Sequence, residues 1–284
     1  MATFDPHYNY FVFRHFVMRK ARHTLDESSQ RFVQSVVETS RKRIGSIEKD
    51  SVVWRAQRGV VWGSRSIPTS ISLDPNHVAE TVEVEMAAPL DPTRMVPLRD
   101  RAGEGRVNPK GIPCLYFSTD RDTAMAEVRP WIGSYVSVAQ FIVLRDLKVV
   151  NCSAEGGPRT RSFLKKEPDP GKGEEGVWKD INWAFSEPVT RSDDVAEYAP
   201  TQVLAEAFRN AGYDGVAYGS RLGTGKTIAI FDLDAAELAS CEGYQVKSIK
   251  VEFSPAAEMY FSEKYLDPDG EFNGPARRVL DTLP

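Results

Sequence analysis

Apolar positions near the start of the chain fall in steps of three and four. Leu25, Phe32, Val33, Val36, Val37 and Ile44 share that spacing, which predicts an amphipathic helix over 24–46, with Thr24 and Glu27 at capping-box distance. Residues 1–23 read as its helical lead-in, so 1–50 is expected to be an N-terminal helical segment. From 51 onward the pattern shortens to strand-like runs: SVVWRAQ (51–57), PCLYFS (113–118), VAQFIVL (138–144), LKVVN (147–151), DGVAYGS (214–220), TIAIFD (227–232) and QVKSIKVEF (245–253). In PCLYFS, alternation sets Leu115 and Phe117 on one face and Cys114 and Tyr116 on the other. Two helices interrupt the strands. One follows Ser118, with Thr119 and Asp122 in a capping pattern, Ala124, Met125 and Val128 as its stripe, and Pro130 as its end. The other is TQVLAEAFRNAG (201–212), stopped by Gly212. The fold class that follows is α/β of the α+β kind, a β-sheet core flanked by helices.

Turn-forming residues divide the rest. Pro68, Pro75, Pro89, Pro92 and Pro97 exclude long helices and predict a loop of roughly 40 residues at 60–100. Gly, Pro, Lys and Glu crowd 154–178, which predicts an exposed loop within an insertion reaching 195. The expected organisation is 1–50 helical, 51–240 a catalytic domain with those two insertions, and 241–284 a terminal strand and loosely held tail. RLGTGK (221–226) reads as a glycine-rich turn between two strands. A phosphate loop needs glycine where Ser220 stands and a helix where TIAIFD predicts a strand.

Composition narrows the function classes. Lys and Arg number 36 against 40 Asp and Glu, a net charge of −4. A dedicated nucleic-acid binder would carry a basic excess. No run approaches the roughly 18 apolar residues of a membrane span. Arg14 and His15 break the aromatic stretch 9–18, so no secretion signal is expected. Cys114, Cys152 and Cys241 are too scattered for a disulfide framework or a zinc site, and no histidine has a partner at metal-ligand spacing. The expectation is a cytoplasmic protein with no metal.

Three local features carry chemistry. Glu127 falls in the last turn of its helix, where a carboxylate opposes the helix dipole by ~0.3–1 kcal/mol. Arg106 and Asn108 lie among small and turn-forming residues in GEGRVNPKGIP (103–113), where backbone can approach a ligand and arginine can fork onto a phosphate. Arg55 follows the apolar run Val52-Val53-Trp54, and a charge there stays buried only if paired or bound. Each has a plainer reading as a solvated or ion-paired charge.

Taken together, WRAQ around Arg55, GRVNPKGIPCLYFSTDRDTAMAEVRP (105–130) and YAPTQVLAEAFRNAGYDGVAYGSR (198–221) resemble the RES domain over roughly 50–235. The resemblance implies a mixed-sheet fold similar to the ADP-ribosyltransferase toxins. It also implies a toxin of a bacterial toxin–antitoxin pair that degrades NAD⁺ by hydrolysis or phosphorolysis, with an Xre-like antitoxin as partner. NAD⁺ would then be the substrate, with no cofactor. The family residues fall on Arg55, Arg106, Tyr116, Glu127 and Ser220. Glu127 would stabilise the oxocarbenium-like state and Arg55 and Arg106 would hold the phosphates. Tyr116 would offer a ring and a hydroxyl, and Ser220 would bond the ribose. Asn108 joins the substrate-binding set. Two alternatives stay open: transfer of ADP-ribose to a protein, and a catalytically idle interaction protein. A homodimer is a further open expectation.

Overall fold

The periodicities resolve into elements in the computed structural model, which describes residues 4, 8–68, 81–99, 101–153, 170–187 and 195–251. Helix α1 (Tyr10–Arg19) opens on Asn9, whose side chain accepts from the amides of Phe11 and Val12. Helix α2 (Glu27–Ser40) is capped by Asp26, which accepts from the Ser29 amide, and not by Thr24 with Glu27 as the spacing predicts. It also ends earlier than predicted, because Ile44 belongs to a strand, β1 (Ile44–Ile47).

Strands β2 (Val52–Arg58), β5 (Leu115–Ser118), β6 (Tyr135–Val143), β7 (Leu147–Asn151), β8 (Gly215–Gly219), β9 (Lys226–Ile230) and β10 (Ala236–Gln245) complete one sheet with β1. Its order is β1-β7-β8-β9-β5-β2-β6-β10. The β7–β8 pair is parallel and the other pairs are antiparallel, so the sheet is mixed. Between β2 and β5 lie β3 (Val61–Pro68), β4 (Thr81–Ala88) and the short α3 (Pro92–Met95); α4 (Arg121–Glu127) follows β5. Helices α5 (Pro170–Ser186) and α6 (Ala199–Asn210), the latter preceded by a 3-10 turn (Val195–Tyr198), lie between β7 and β8.

One face of the sheet packs on helices. Tyr10, Phe13 and Val17 of α1, Phe32 and Val36 of α2, Trp178, Ile181 and Phe185 of α5, and Leu204 and Phe208 of α6 share one buried cluster with Val150, Val216 and Ala229. Phe13 stacks on Phe32 with ring centroids 5.0 Å apart, and the Trp178 indole donates to Thr39 Oγ1 at 3.1 Å. Each such aromatic contributes ~1.5–3 kcal/mol of burial. The other face buries Val53, Leu115, Phe117, Phe141 and Ile228 with Met95 of α3. Residues 1–247 form one compact unit; of the second, 248–284, only 248–251 are described.

Three expectations are corrected. The stretch 60–100 is not one loop, because β3 and β4 pair as a separate two-stranded sheet. Residues 170–178 belong to α5, and 154–169 lie outside the described residues. The last strand is β10, pairing with β6 from Ala236↔Val143 to Gln245↔Tyr135; of the predicted run 245–253, residues 246–251 are not strand and 252–253 are not described.

Candidate active site

A capped helix sets the position of Glu127. Asp120 accepts from the Thr123 amide at 2.8 Å and the Thr123 hydroxyl at 2.9 Å, and these bonds, the backbone one foremost, hold its carboxyl below the usual range. Asp120 is the cap, in place of the predicted Thr119 and Asp122 pairing. Glu127 is the last residue of α4, where exposed carbonyls repel it. Arg58, at the end of β2, donates to the Val128 carbonyl just beyond and supplies the missing positive charge. Arg129 then takes φ +47°, a left-handed conformation costing a non-glycine residue ~1–2 kcal/mol.

Oε1 of Glu127 accepts from Ser220 Oγ at 2.6 Å and from Thr227 Oγ1 at 3.2 Å. Ser220 Oγ in turn accepts from the amides of Leu222 and Gly223 at 3.1 and 3.0 Å, so its proton is aimed at the carboxylate. Among the described residues Oε2 makes no hydrogen bond. The glycine-rich turn makes this possible by close approach to α4. A Cβ on Gly225 would lie 1.9 Å from Asp120 Oδ2, and one on Gly223 2.5 Å from Thr123 Oγ1.

The opposite wall is basic and tied from behind. Arg55 donates from Nη1 to the Tyr116 carbonyl at 3.0 Å, while its buried Nε has no partner among the described residues. Burial lowers its pKa to about 10, which leaves it charged at neutral pH. Tyr116 donates to Asn108 Oδ1 at 2.8 Å and accepts from the Val107 amide at 3.1 Å; burial pushes its phenol well above the usual value. Asn108 Nδ2 bonds the carbonyls of Gly103 at 2.9 Å and Ile112 at 2.8 Å. Gln202 reaches the carbonyls of Gly105 and Asn108 at 2.9 and 3.1 Å. Gly105 is required here, since a Cβ would lie 2.6 Å from the Tyr116 hydroxyl. The loop so held presents Arg106, which donates to the Ala184 carbonyl at 2.6 Å with its guanidinium 5.7 Å from the Tyr198 ring centroid.

Two adjoining cavities open between the walls. The larger, about 370 Å³, is lined by Arg55, Arg106, Tyr116, Glu127, Tyr218 and Thr227 among others. The smaller, about 250 Å³, shares Arg106, Glu127 and Tyr218 and adds Arg58, Arg129 and Glu187. Burial pushes the Glu187 carboxyl up. The structure therefore brings together Arg55, Arg106, Tyr116 and Glu127 around one cavity, with Ser220 bonded to Glu127 from behind. Asn108 lines neither cavity, its side chain being committed within the loop, and the Tyr116 hydroxyl is likewise committed.

Sequence reasoning missed Tyr218, Thr227 and Arg58. Tyr218 and Thr227 face each other across the β8–β9 pair, and alternation along DGVAYGS was the available signal for the first. Nothing in the sequence ties Arg58 to the end of α4.

Among the described residues no helix is long and apolar enough to cross a membrane. A chain of the M. tuberculosis MbcT–MbcA toxin–antitoxin complex is similar at 14% identity over 74% of this chain and 92% of its own, with a TM-score of 0.39. No curated protein matches. The RES domain model matches residues 84–253, a stretch that begins within β4 and carries the loop of Arg106, the β5–α4 unit of Tyr116 and Glu127, and the β8–β9 turn of Ser220. With more than half its length matched and that stretch building most of the cleft, the chain belongs to the RES domain family.

Proposed function

We propose that this protein cleaves the bond between nicotinamide and ribose in NAD⁺ and passes the ADP-ribosyl group to water or inorganic phosphate. The observation that carries the reading is a carboxylate with one oxygen fixed by two hydroxyls and the other unbonded among the described residues, between two cavities that share it. Departure of nicotinamide leaves an oxocarbenium-like ribose, whose charge a preorganised carboxylate stabilises. Nicotinamide leaves as a neutral base with the bonding electron pair, so no general acid is needed. Water attacking C1 of the ribose gives ADP-ribose and one proton; phosphate gives the 1-phosphate. Arg55 and Arg106 suit the two phosphates of the dinucleotide, and the unpartnered Nε of Arg55 is relieved by an anion. The rings of Tyr116 and Tyr218 offer stacking surface. Asn108 serves by holding the Tyr116 hydroxyl rather than by touching substrate.

Supporting a toxin role is membership of the RES family. On this reading an antitoxin of the Xre-like kind would cover the cleft, and the action would fall in the cytoplasm, where NAD⁺ is supplied. The test is NAD⁺ loss and product identity with the purified full chain, with and without phosphate. Glu127→Gln is expected to lower turnover at least ~100-fold with the fold intact. Near-native turnover in a folded variant overturns the assignment. A product bound to protein, with no free ADP-ribose or its 1-phosphate, moves the activity to protein modification.

A further inference from the structure

The hairpin β3–β4 lines neither cavity of the cleft and, among the described residues, shares no backbone ladder with the eight-stranded sheet. All residues of both strands are exposed. Its base is anchored: the buried Ser137 hydroxyl donates to the Gly59 carbonyl at 2.7 Å and accepts from the Leu90 amide at 2.9 Å. Trp62 meets Tyr135 edge-on, with centroids 5.3 Å apart. Beyond that base an isolated two-stranded hairpin is marginal in water. Register sorts its side chains onto two faces. Val61 and Ile67 join Val82, Val84 and Met86 on one, each 37–49% exposed; Trp62, Ser64 and Ser66 join Glu83 and Glu85 on the other.

Both strands have an outer edge, and an unpaired edge is a template for another strand. Charge separates the two. Any two-fold pairing of β4 with itself centred on Glu83, Val84 or Glu85 sets glutamate opposite glutamate, which is destabilising. On β3, an axis at Ser64 sets Val61 opposite Ile67 of the other copy, Gly63 opposite Arg65 and Trp62 opposite Ser66, with no like charges facing. Shifting the axis one residue to Arg65 sets arginine against arginine. Of the registers of either strand with no like charges facing, the axis at Ser64 pairs the longest stretch, 61–67, whereas an axis at Met86 of β4 pairs only 84–88.

We propose that β3 pairs antiparallel with β3 of a second copy about a two-fold axis at Ser64, joining two hairpins into a four-stranded sheet. Apart from Val84 to Ala88 of β4, the hairpin precedes the stretch matched by the family. Facing Ser64 residues would have Cα atoms ~4.5–5.5 Å apart, within disulfide reach. Ser66 and its counterpart would be four positions apart along the strand, ~13 Å.

The experiment uses the full chain with Cys241→Ser, since Cys114 and Cys152 are buried. Sedimentation should show a dimer. Under mild oxidation Ser64→Cys should give a covalent dimer and Ser66→Cys should not. Ile67→Lys, on an exposed position, should weaken dimerisation at least tenfold without altering the circular dichroism spectrum. A monomer up to hundreds of micromolar overturns the proposal. So does equal cross-linking at both cysteine positions, or a dimer indifferent to Ile67→Lys in a folded chain.

Discussion

The two walls of the cleft are built on opposite principles. The basic wall hangs Arg106 from a buried polar hub, in which Asn108, Tyr116 and Gln202 consume one another's hydrogen bonds with the loop backbone. The acidic wall hangs Glu127 from the buried Thr227 hydroxyl of β9 and from the Ser220 hydroxyl on a half-exposed turn, itself docked on the capped start of α4 through Gly223 and Gly225. Buried hubs are costly to breach because every orphaned group loses both its partner and water. Turn contacts near the surface can be re-solvated, yet they fix the geometry of a charge. One wall is therefore a stability element and the other a positioning element, and variants should separate the two.

The largest effect is expected at the hub. Asn108→Ala leaves the Tyr116 hydroxyl proton without its acceptor and takes the Asn108 donor from the carbonyls of Gly103, Pro109 and Ile112, and should cost about 3 kcal/mol, read as a lowered urea midpoint at unchanged slope. A loss below about 1 kcal/mol would mean the hub is wetter than drawn. Next comes Gly225→Ala, whose Cβ would strike Asp120 and push the turn off α4. It should cost about 1 kcal/mol but lower turnover roughly tenfold, by moving Ser220 relative to Glu127. Equal losses in both measures, or none in turnover, would erase the distinction between the walls. The smallest effect concerns acid. The folded Asp120 pKa lies below its unfolded value, so its contribution is present above about pH 4 and is lost as pH falls through the lowered folded pKa. Asp120→Asn keeps a cap and should flatten that acid limb in melts from pH 5 to 2. An unchanged slope would show that the cap does not titrate with folding.

Much of this was legible beforehand, for physical reasons. Alternation in PCLYFS turned Tyr116 away from Leu115 and Phe117, and those faces are the ones observed, with Cys114 and Tyr116 on the helix side. Glu127 drew notice by its poor fit to a helix end, and Arg55 by its place in an apolar run. The hairpin was hidden because its prolines stand at boundaries: Pro68 ends β3, Pro89 follows β4 and Pro92 opens α3, while Gly63 and serines dilute the alternation. Helix α5 was hidden by Pro170, Gly171 and Gly173 at its start, where the first turn tolerates them. Its buried side, Val177, Trp178, Ile181 and Phe185, does keep helical spacing. Strand β10 has little apolar rhythm of its own and is held by backbone pairing to β6. Contacts such as Thr227 with Glu127 depend on which strands become neighbours, and local periodicity carries no such information.

Sequence distance gives the acidic wall a consequence for how the protein is made. Ser220 and Thr227 follow Glu127 by 93 and 100 residues. A nascent chain emerges from its first residue onward. It therefore displays Arg55, Arg106 and Glu127 long before either hydroxyl exists to hold the carboxylate. Helices α1 and α2 wait as well, since the core they enter is closed by α6 and β8. A ribosome stalled anywhere before codon 227 releases a fragment with the charges and without their alignment. On the proposed reading, the aligned carboxylate is completed only when the β8–β9 turn and the start of β9 have been synthesised.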